Sequence, residues 1–233
     1  MTLKIDGYTC TGCGLCHDAC PFGALEMRDD VARPLDGLCT LCGACLPLCP
    51  VGAISLPEKH SERADSGREG ILVFAEQRQG VLAPVTLELV GAACALSAMK
   101  GWQVEVALLG ADPQALASPI IAAGASRVYT VASRELYYFR TLPYTRAAVA
   151  LIERLRPAVV LFGATTRGRD LAPRVAQRIG TGLTADCTDL AFDQADGLLL
   201  QTRPTFGGNV MATIVTPSHS PQMATVRPGV MPM

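Results

Sequence analysis

The sequence predicts two folded units of different class. The first is a small α+β unit, and the second is an α/β sandwich on a parallel sheet with an added antiparallel meander. Two cysteine runs of identical spacing fill residues 10–50, and apolar segments of strand length alternate with helical patterns from residue 71 onward. The charged segment between them is poor in apolar residues. We therefore expect domains at residues 1–56 and 71–233, joined by a linker at residues 57–70.

The cysteine runs read C-T-G-C-G-L-C-H-D-A-C-P and C-T-L-C-G-A-C-L-P-L-C-P, both with the spacing C-x2-C-x2-C-x3-C-P. In this bacterial iron–sulfur spacing, three cysteines of a run bind one cluster and the fourth binds the other. The spacing therefore predicts two [4Fe-4S] clusters with crossed ligands. The predicted ligands are Cys10, Cys13, Cys16 and Cys49 for the first cluster, and Cys39, Cys42, Cys45 and Cys20 for the second.

The two runs belong to an internal duplication that also repeats Thr11 as Thr40 and Gly14 as Gly43. So small a unit has little core of its own, so metal binding should supply much of its folding free energy. Two alternatives are weaker. Zinc sites usually pair their cysteines as two separate C-x2-C motifs, and a disulfide framework implies an oxidising compartment.

Composition narrows the function class. The 233 residues carry a net charge of −1, which favours neither nucleic acid nor an anionic membrane surface as a partner. The N-terminus lacks an apolar signal core, and the best candidate for a membrane span, residues 81–99, contains Glu88. We expect that segment to be a buried helix, and we expect a cytoplasmic protein because cluster ligands must stay reduced.

Strands in the first unit are expected at residues 2–6, 24–27, 31–34 and 53–56, with a hairpin turn at Asp29–Asp30. In the second unit, the continuous apolar run at residues 71–75 is typical of a strand buried on both faces. Further strands are expected at 104–109, 128–131 and 159–162, and helices at 85–99, 113–123, 145–155 and 171–179. Residues 198–203, 210–216 and 222–226 are predicted to form the meander at the sheet edge.

Three segments closely resemble the alpha subunit of electron transfer flavoproteins. They are F-G-A-T-T-R-G-R-D-L-A-P-R-V-A-Q-R-I-G-T-G-L-T-A-D-C-T-D-L at residues 162–190, R-P-T-F-G-G-N-V-M-A-T-I at 203–214 and V-R-P-G-V-M at 226–231. Their order and spacing match that family's N-terminal domain, and residues 1–56 resemble the ferredoxin extension of some members. The resemblance implies an adenine-nucleotide-hydrolase-like fold for the second unit.

The resemblance also implies a role. Such a chain would form a heterodimer with a beta subunit and relay electrons between flavin and soluble ferredoxin or a partner dehydrogenase acting on acyl-CoA or hydroxyacid substrates. Ferredoxin-bearing members resemble subunits of flavin-based electron-bifurcating complexes. The family's alpha chain continues beyond V-R-P-G-V-M into an FAD-binding domain, whereas this sequence stops at Met233. FAD is therefore expected in the complex but not on these residues.

A second candidate site lies at Gly163–Asp170, where a predicted strand leads into a helix whose N–H groups can bind phosphate. It is not a P-loop, because Gly168 is followed by Arg169 and Asp170. Arg167 and Arg169 are candidates to contact a flavin held by the partner, with capping and internal salt bridges as the alternative. The rival function is an adenine-nucleotide-binding module with a structural metal domain. No catalytic constellation is apparent, and Cys94 and Cys187 are expected to be buried thiols.

Overall fold

The structure is a computed structural model, and it describes residues 3–35, 37–56 and 67–232. Contacts divide the chain into two compact units between residues 60 and 61. That boundary falls in the predicted linker, of which residues 57–66 lie outside the described residues. Each unit is described by itself below.

The first unit is built from two antiparallel pairs of short strands. Its elements are β1 (Lys4–Ile5), α1 (Leu15–Asp18), β2 (Leu25–Arg28), β3 (Val31–Pro34) and β4 (Ile54–Ser55). β1 pairs with β4, and β2 pairs with β3 as a hairpin. Both turn residues of the hairpin are left-handed, with φ of 52° at Asp29 and 57° at Asp30, as two-residue hairpin turns require. The predicted hairpin and the closing strand pair are confirmed.

The core of the first unit is small and includes two of the predicted ligands. Cys16 and Cys45 are buried in it together with Leu3, Leu25, Ala32, Leu41 and Ile54. With so little apolar surface to bury, this unit is expected to gain much of its stability from a group bound by the cysteines.

The second unit alternates strands and helices. In chain order its elements are β5 (Ile71–Ala75), β6 (Gln77–Arg78), β7 (Val81–Leu82), α2 (Pro84–Ala98), β8 (Val104–Gly110), α3 (Ala117–Ala122), β9 (Arg127–Ala132), α4 (Thr141–Leu155), β10 (Val159–Gly163), α5 (Thr166–Ile179), β11 (Leu183–Cys187), β12 (Asp189–Phe192), β13 (Leu199–Thr205), β14 (Val210–Ile214) and β15 (Gln222–Val226). Short 3-10 helices add Gln114–Leu116, Arg134–Leu136 and Phe206–Gly208.

Six of these strands form a parallel sheet in the order β11-β15-β10-β5-β8-β9. Alternate residues of β5 serve opposite faces. Ile71 and Val73 pack in a cluster with α2, while Leu72 and Phe74 pack in a second cluster with α4 and α5. Helices therefore cover both faces, as a parallel sheet requires. This confirms an α/β sandwich.

The prediction for β15 was wrong. Residues 222–226 do not lie in the meander but form a fully buried strand, parallel to both neighbours, between β10 and β11. The physical reason is that polar Gln222 is satisfied internally, because its Oε1 accepts from the Leu199 N–H at 2.8 Å. The antiparallel meander exists, but it consists of β12, β13 and β14. Neither β11 nor β12 was predicted.

Two helices begin earlier than predicted. α4 starts at Thr141, with Pro143 in its first turn, where a missing N–H costs no hydrogen bond. α5 starts at Thr166, and the hydroxyl of Thr165 accepts from the Gly168 N–H at 3.1 Å. Residues 166–170, which precede the predicted helix at 171–179, are thus the capped first turn of that helix.

The segment considered as a membrane span is the buried helix α2, as expected. Its Glu88 is itself buried and accepts a hydrogen bond from the Gly229 N–H at 2.6 Å. Across the described part of the chain, every helix is too short or too polar to cross a bilayer.

Candidate iron–sulfur site

The eight cysteines of the two runs surround two cavities, four to each. One cavity is lined by Cys10, Cys13, Cys16 and Cys49, and the other by Cys39, Cys42, Cys45 and Cys20. The structure thus groups three cysteines of each run with the fourth cysteine of the other. These groups are the ones assigned from the spacing, and their role as ligands remains a prediction.

The backbone around the two cavities is duplicated as the sequence is. The His17 N–H donates to the Gly14 carbonyl at 2.9 Å, and the Leu46 N–H donates to the Gly43 carbonyl at 3.0 Å. These bonds hold the turn that follows the second cysteine of each run. The repeated sequence therefore gives the two cavities the same local backbone hydrogen bonding.

The crossing cysteines receive matched hydrogen bonds. The Ala24 N–H donates to Cys20 Sγ and the Ala53 N–H donates to Cys49 Sγ, each at 3.3 Å. An N–H directed at sulfur stabilises negative charge there, which is what a thiolate ligand carries. Both donors belong to a Gly-Ala pair that follows each run, Gly23-Ala24 and Gly52-Ala53. This repeated pair therefore supplies one N–H donor to each crossing cysteine.

Exposure of the cysteines follows the same duplication. The third cysteine of each run, Cys16 or Cys45, is buried, while the second, Cys13 or Cys42, is exposed. Burial raises the pKa of Cys16 and of Cys45. At Cys49 burial also raises the pKa, but hydrogen bonds from backbone N–H groups outweigh it and leave the pKa below its usual value. A bound metal would favour the thiolate form at all of these sulfurs.

Left-handed residues close the turns around the cavities. Gly12, Gly14 and Gly43 have φ of 69°, 75° and 77°, a region that costs glycine little. A Cβ on Gly12 would lie 2.6 Å from the Asp30 carbonyl oxygen, so the hairpin turn approaches the first run closely. Leu41, at the position equivalent to Gly12, has φ of 55° and a buried side chain.

The residues fit [4Fe-4S] clusters. Thiolates are the ligands that such clusters use, and each cavity offers four of them. Most of the remaining walls are apolar, with Ile5, Ala32 and Ile54 around the first cavity and Leu3 and Leu25 around the second.

Across residues 3–35, 37–56 and 67–232, no three His, Cys, Asp or Glu side chains are placed to share a single metal ion. Around one ion all sulfurs bind the same atom at about 2.3 Å, as in zinc sites. Around a four-iron cluster each sulfur binds a different iron, so the sulfurs stand farther apart. The absence of such a group among the described residues therefore argues against a site for a single metal ion, and it does not bear on the clusters.

The second candidate site, at the start of α5, is held by internal contacts. Arg167 Nη1 donates to the Gln77 carbonyl at 2.7 Å, and its guanidinium lies 5.5 Å from the centre of the Phe139 ring. Arg169 Nη2 lies 3.4 Å from Asp186 Oδ1. Arg169 thus makes an internal salt bridge of the kind that the alternative interpretation expects, whereas Arg167 contacts a backbone carbonyl and an aromatic ring.

Gly168 is explained by packing. A Cβ at this position would lie 1.8 Å from the Gly163 carbonyl oxygen, because α5 runs directly against the end of β10. This is the close helix–strand approach that glycine permits in α/β folds. It accounts for the glycine without a bound phosphate.

Sequence reasoning missed Asp186. This residue has φ of 64° at an irregularity in β11, and its carboxylate accepts from Arg227 at 2.6 and 3.2 Å. The hydrogen bond from Arg227 lowers the pKa of Asp186. The pair joins β11 to the chain after β15. Both residues lie in the segments that carry the family resemblance, but nothing local in the sequence shows that they meet.

The remaining two cysteines, Cys94 and Cys187, belong to the second unit. Cys187 is fully buried, and that burial raises its pKa to about 11. Cys94 is half-buried, and its Sγ donates to the Gly124 carbonyl at 3.5 Å.

Comparison with known proteins gives two family matches. The electron transfer flavoprotein domain matches residues 71–233, and a 4Fe-4S dicluster domain matches residues 9–54. Three relatives illustrate the first match. The electron transfer flavoprotein subunit alpha of Thermoanaerobacterium thermosaccharolyticum is 51% identical over 161 residues, 69% of this chain and 48% of that protein. Protein FixB of Azorhizobium caulinodans is 46% identical over 166 residues, 70% and 45% of the two chains.

The third relative is the lactate dehydrogenase (NAD(+),ferredoxin) subunit LctC of Acetobacterium woodii, which is 43% identical over 158 residues, 68% of this chain and 38% of that protein. The chain spans about half the length, or less, of these curated relatives. The resemblance seen in the sequence is confirmed, and the first unit is an iron–sulfur domain. Since the flavoprotein match covers more than two thirds of the sequence, the chain belongs to the electron transfer flavoprotein family.

Proposed function

We propose that this chain is an electron-transfer subunit that relays electrons between a flavin of an electron transfer flavoprotein complex and ferredoxin or a partner dehydrogenase. The observation that carries the proposal is the grouping of eight cysteines around two cavities. Each cavity is lined by the first three cysteines of one run and the fourth cysteine of the other. Family membership supports the flavin side of the relay.

In the proposal, Cys10, Cys13, Cys16 and Cys49 hold one [4Fe-4S] cluster, and Cys39, Cys42, Cys45 and Cys20 hold the second. When bound, each cluster accepts and releases one electron at a time. The chain's own residues position the sulfurs, stabilise their negative charge with N–H donors, and surround them with largely apolar walls. Because each crossing cysteine belongs to one run and lines the other cavity, the two sites are held at a fixed separation.

The proposed partners follow from the family. They are an electron transfer flavoprotein beta subunit, a dehydrogenase for acyl-CoA or hydroxyacid substrates, and soluble ferredoxin, with FAD as the flavin of the complex. The name of the Acetobacterium woodii relative joins lactate dehydrogenase, NAD(+) and ferredoxin, and it supports flavin-based bifurcation as the setting. We place the protein in the cytoplasm, because thiolate ligands need a reducing compartment.

Arg167 and Arg169 differ as candidates for contact with a partner-held flavin. The Arg169 side chain is 61% exposed and keeps one long ion pair, so it is free to reach outward. Arg167 is tied to the Gln77 carbonyl and to the Phe139 ring. We therefore retain Arg169 for this role and assign Arg167 to the fold.

The crossed ligation is tested by alkylating the cluster-loaded chain and mapping the labelled cysteines. In Cys20→Ala we expect Cys39, Cys42 and Cys45 to become labelled while Cys10 and its run stay protected. Cys49→Ala should give the reverse pattern. Cys94→Ala is the matched control, because Cys94 belongs to the second unit and lines neither cavity, and it should leave both runs protected. The crossed arrangement would be refuted if Cys20→Ala exposed the other cysteines of the first run to labelling, or if Cys49→Ala exposed those of the second run.

Electron transfer itself is tested in the complex with the beta subunit and its partner dehydrogenase, by following ferredoxin reduction from NADH while an enoyl-CoA is present as the higher-potential acceptor. We expect the Cys20→Ala and Cys49→Ala variants to lose this activity and the Cys94→Ala variant to keep it. Full activity in either crossing variant would show that electrons bypass the clusters.

A further inference from the structure

One buried hydroxyl beside the second cavity has no hydrogen-bond partner among the residues that the structure describes. Thr40 follows the first cysteine of the second run and lines the cavity of Cys39, Cys42, Cys45 and Cys20. Its Oγ1 is buried, and no group in the described residues pairs with it. A buried hydroxyl without a partner costs free energy, so its position calls for a partner inside the cavity.

The duplicated position in the first run differs. Thr11 lines the first cavity, but it is an exposed residue, and its hydroxyl is not among the buried atoms without a partner. Water can therefore satisfy Thr11, whereas Thr40 has only the cavity. Two threonines at equivalent positions thus sit in unequal environments.

We propose that the Thr40 hydroxyl donates a hydrogen bond to a sulfur of the second cluster and gives that cluster the higher reduction potential of the two. The inference rests on the proposed clusters, and it adds which of the two has the higher reduction potential. Sulfurs of a reduced cluster carry more negative charge than those of an oxidised one, so a donor directed at them stabilises the reduced state more. That difference raises the potential.

Charges beside the runs act in the same direction. The first run has Asp18 between its third and fourth cysteines. Carboxylates disfavour an added electron nearby. His17 Nδ1 lies 2.9 Å from Asp18 Oδ1.

The corresponding stretch of the second run holds only apolar residues, Leu46-Pro47-Leu48. Neither carboxylate nor imidazole stands at these positions. The hydroxyl and the charge pattern therefore both favour the electron on the second cluster.

The test is a redox titration of the whole cluster-loaded chain, followed by electron paramagnetic resonance. Thr40→Val keeps the shape of the side chain and removes the donor. We expect it to lower the higher of the two potentials and to leave the lower one in place. Thr11→Val is the matched control and should shift neither potential. Thr40→Ser, which keeps a hydroxyl, should restore the unchanged value.

The inference is overturned if Thr40→Val shifts neither potential, or if it lowers the lower one. Iron content equal to that of the unchanged protein shows that both clusters are present. If valine reduces the iron content, Thr40→Ala takes its place, since alanine also removes the hydroxyl without adding bulk. An unchanged protein that binds no iron would instead refute the proposed clusters, and with them this assignment.

Discussion

Replacing Gly12 by alanine should destabilise the iron–sulfur unit more than replacing Gly14 by alanine. Both residues are left-handed, with φ of 69° and 75°. They differ in their surroundings. A Cβ on Gly12 would lie 2.6 Å from the Asp30 carbonyl oxygen, whereas a Cβ on Gly14 would meet nothing within 4 Å.

The magnitude follows from two terms. A left-handed conformation costs an L-residue about 1–2 kcal/mol, and this applies to both variants. Forcing a methyl group against fixed atoms costs about 1–3 kcal/mol more, and this applies to Gly12→Ala alone. We therefore expect a loss of about 2–5 kcal/mol for Gly12→Ala and about 1–2 kcal/mol for Gly14→Ala.

The assay is the rate at which cluster-loaded protein loses its visible absorption in a fixed concentration of urea. A difference of about 1–3 kcal/mol corresponds to bleaching about 5- to 150-fold faster for Gly12→Ala than for Gly14→Ala. Equal rates would mean that the hairpin turn does not press on the first run, and would refute the reasoning.

Three further predictions concern the second unit. Gly168→Ala should lower the urea midpoint of unfolding, despite the better helix propensity of alanine, because its Cβ would lie 1.8 Å from the Gly163 carbonyl oxygen. Asp186→Asn should make the stability of the fold depend less on acid pH. The hydrogen bond from Arg227 lowers the pKa of Asp186 in the folded chain, so the ion pair stabilises the fold above pH 3.8, the ordinary pKa of an aspartate. That stabilisation is lost as the pH falls through the lowered pKa of Asp186. Cys187 should resist iodoacetamide at pH near 8 in the folded chain, because it is fully buried with a pKa of about 11.

Each of the three has a control in the same unit. Gln177→Ala changes an exposed position of α5 and should leave the midpoint in place. Asp112→Asn removes an exposed carboxylate and should keep the acid dependence. Cys94, only half-buried, should be alkylated before Cys187. A raised midpoint for Gly168→Ala, an unaltered pH profile for Asp186→Asn, or faster labelling of Cys187 would contradict the respective prediction.

The grouping of cysteines around the cavities could be predicted from the sequence because the constraint is local. Three cysteines two residues apart must turn about a common centre, and glycines at Gly12, Gly14 and Gly43 supply the left-handed residues. Leu41 shows the limit of this reasoning. It takes up the same conformation without being glycine, because its side chain is buried in the small core.

Strands with continuous apolar runs could also be predicted. Ile71–Ala75 and Val159–Gly163 are buried on both faces, so their composition alone indicates the centre of a parallel sheet. Gln222–Val226 occupies an equally buried position but contains polar residues, and its place depends on pairing with a strand some sixty residues earlier. No local pattern carries that pairing, which is why the strand was assigned to the meander.

The ion pair of Asp186 and Arg227 escaped prediction for the same reason. The two residues lie far apart in the chain and meet only because β15 inserts beside β11. The unequal environments of Thr11 and Thr40 likewise appear only in three dimensions, since the sequence presents the two as equivalent.

The most direct test of the account is an anomalous-scattering map at the iron absorption edge from crystals of the loaded protein. We predict two groups of four irons, one bound by Cys10, Cys13, Cys16 and Cys49, and the other by Cys39, Cys42, Cys45 and Cys20. A map in which either set of four sulfurs surrounds one zinc ion, or in which Cys20 binds the same irons as Cys10, would contradict it.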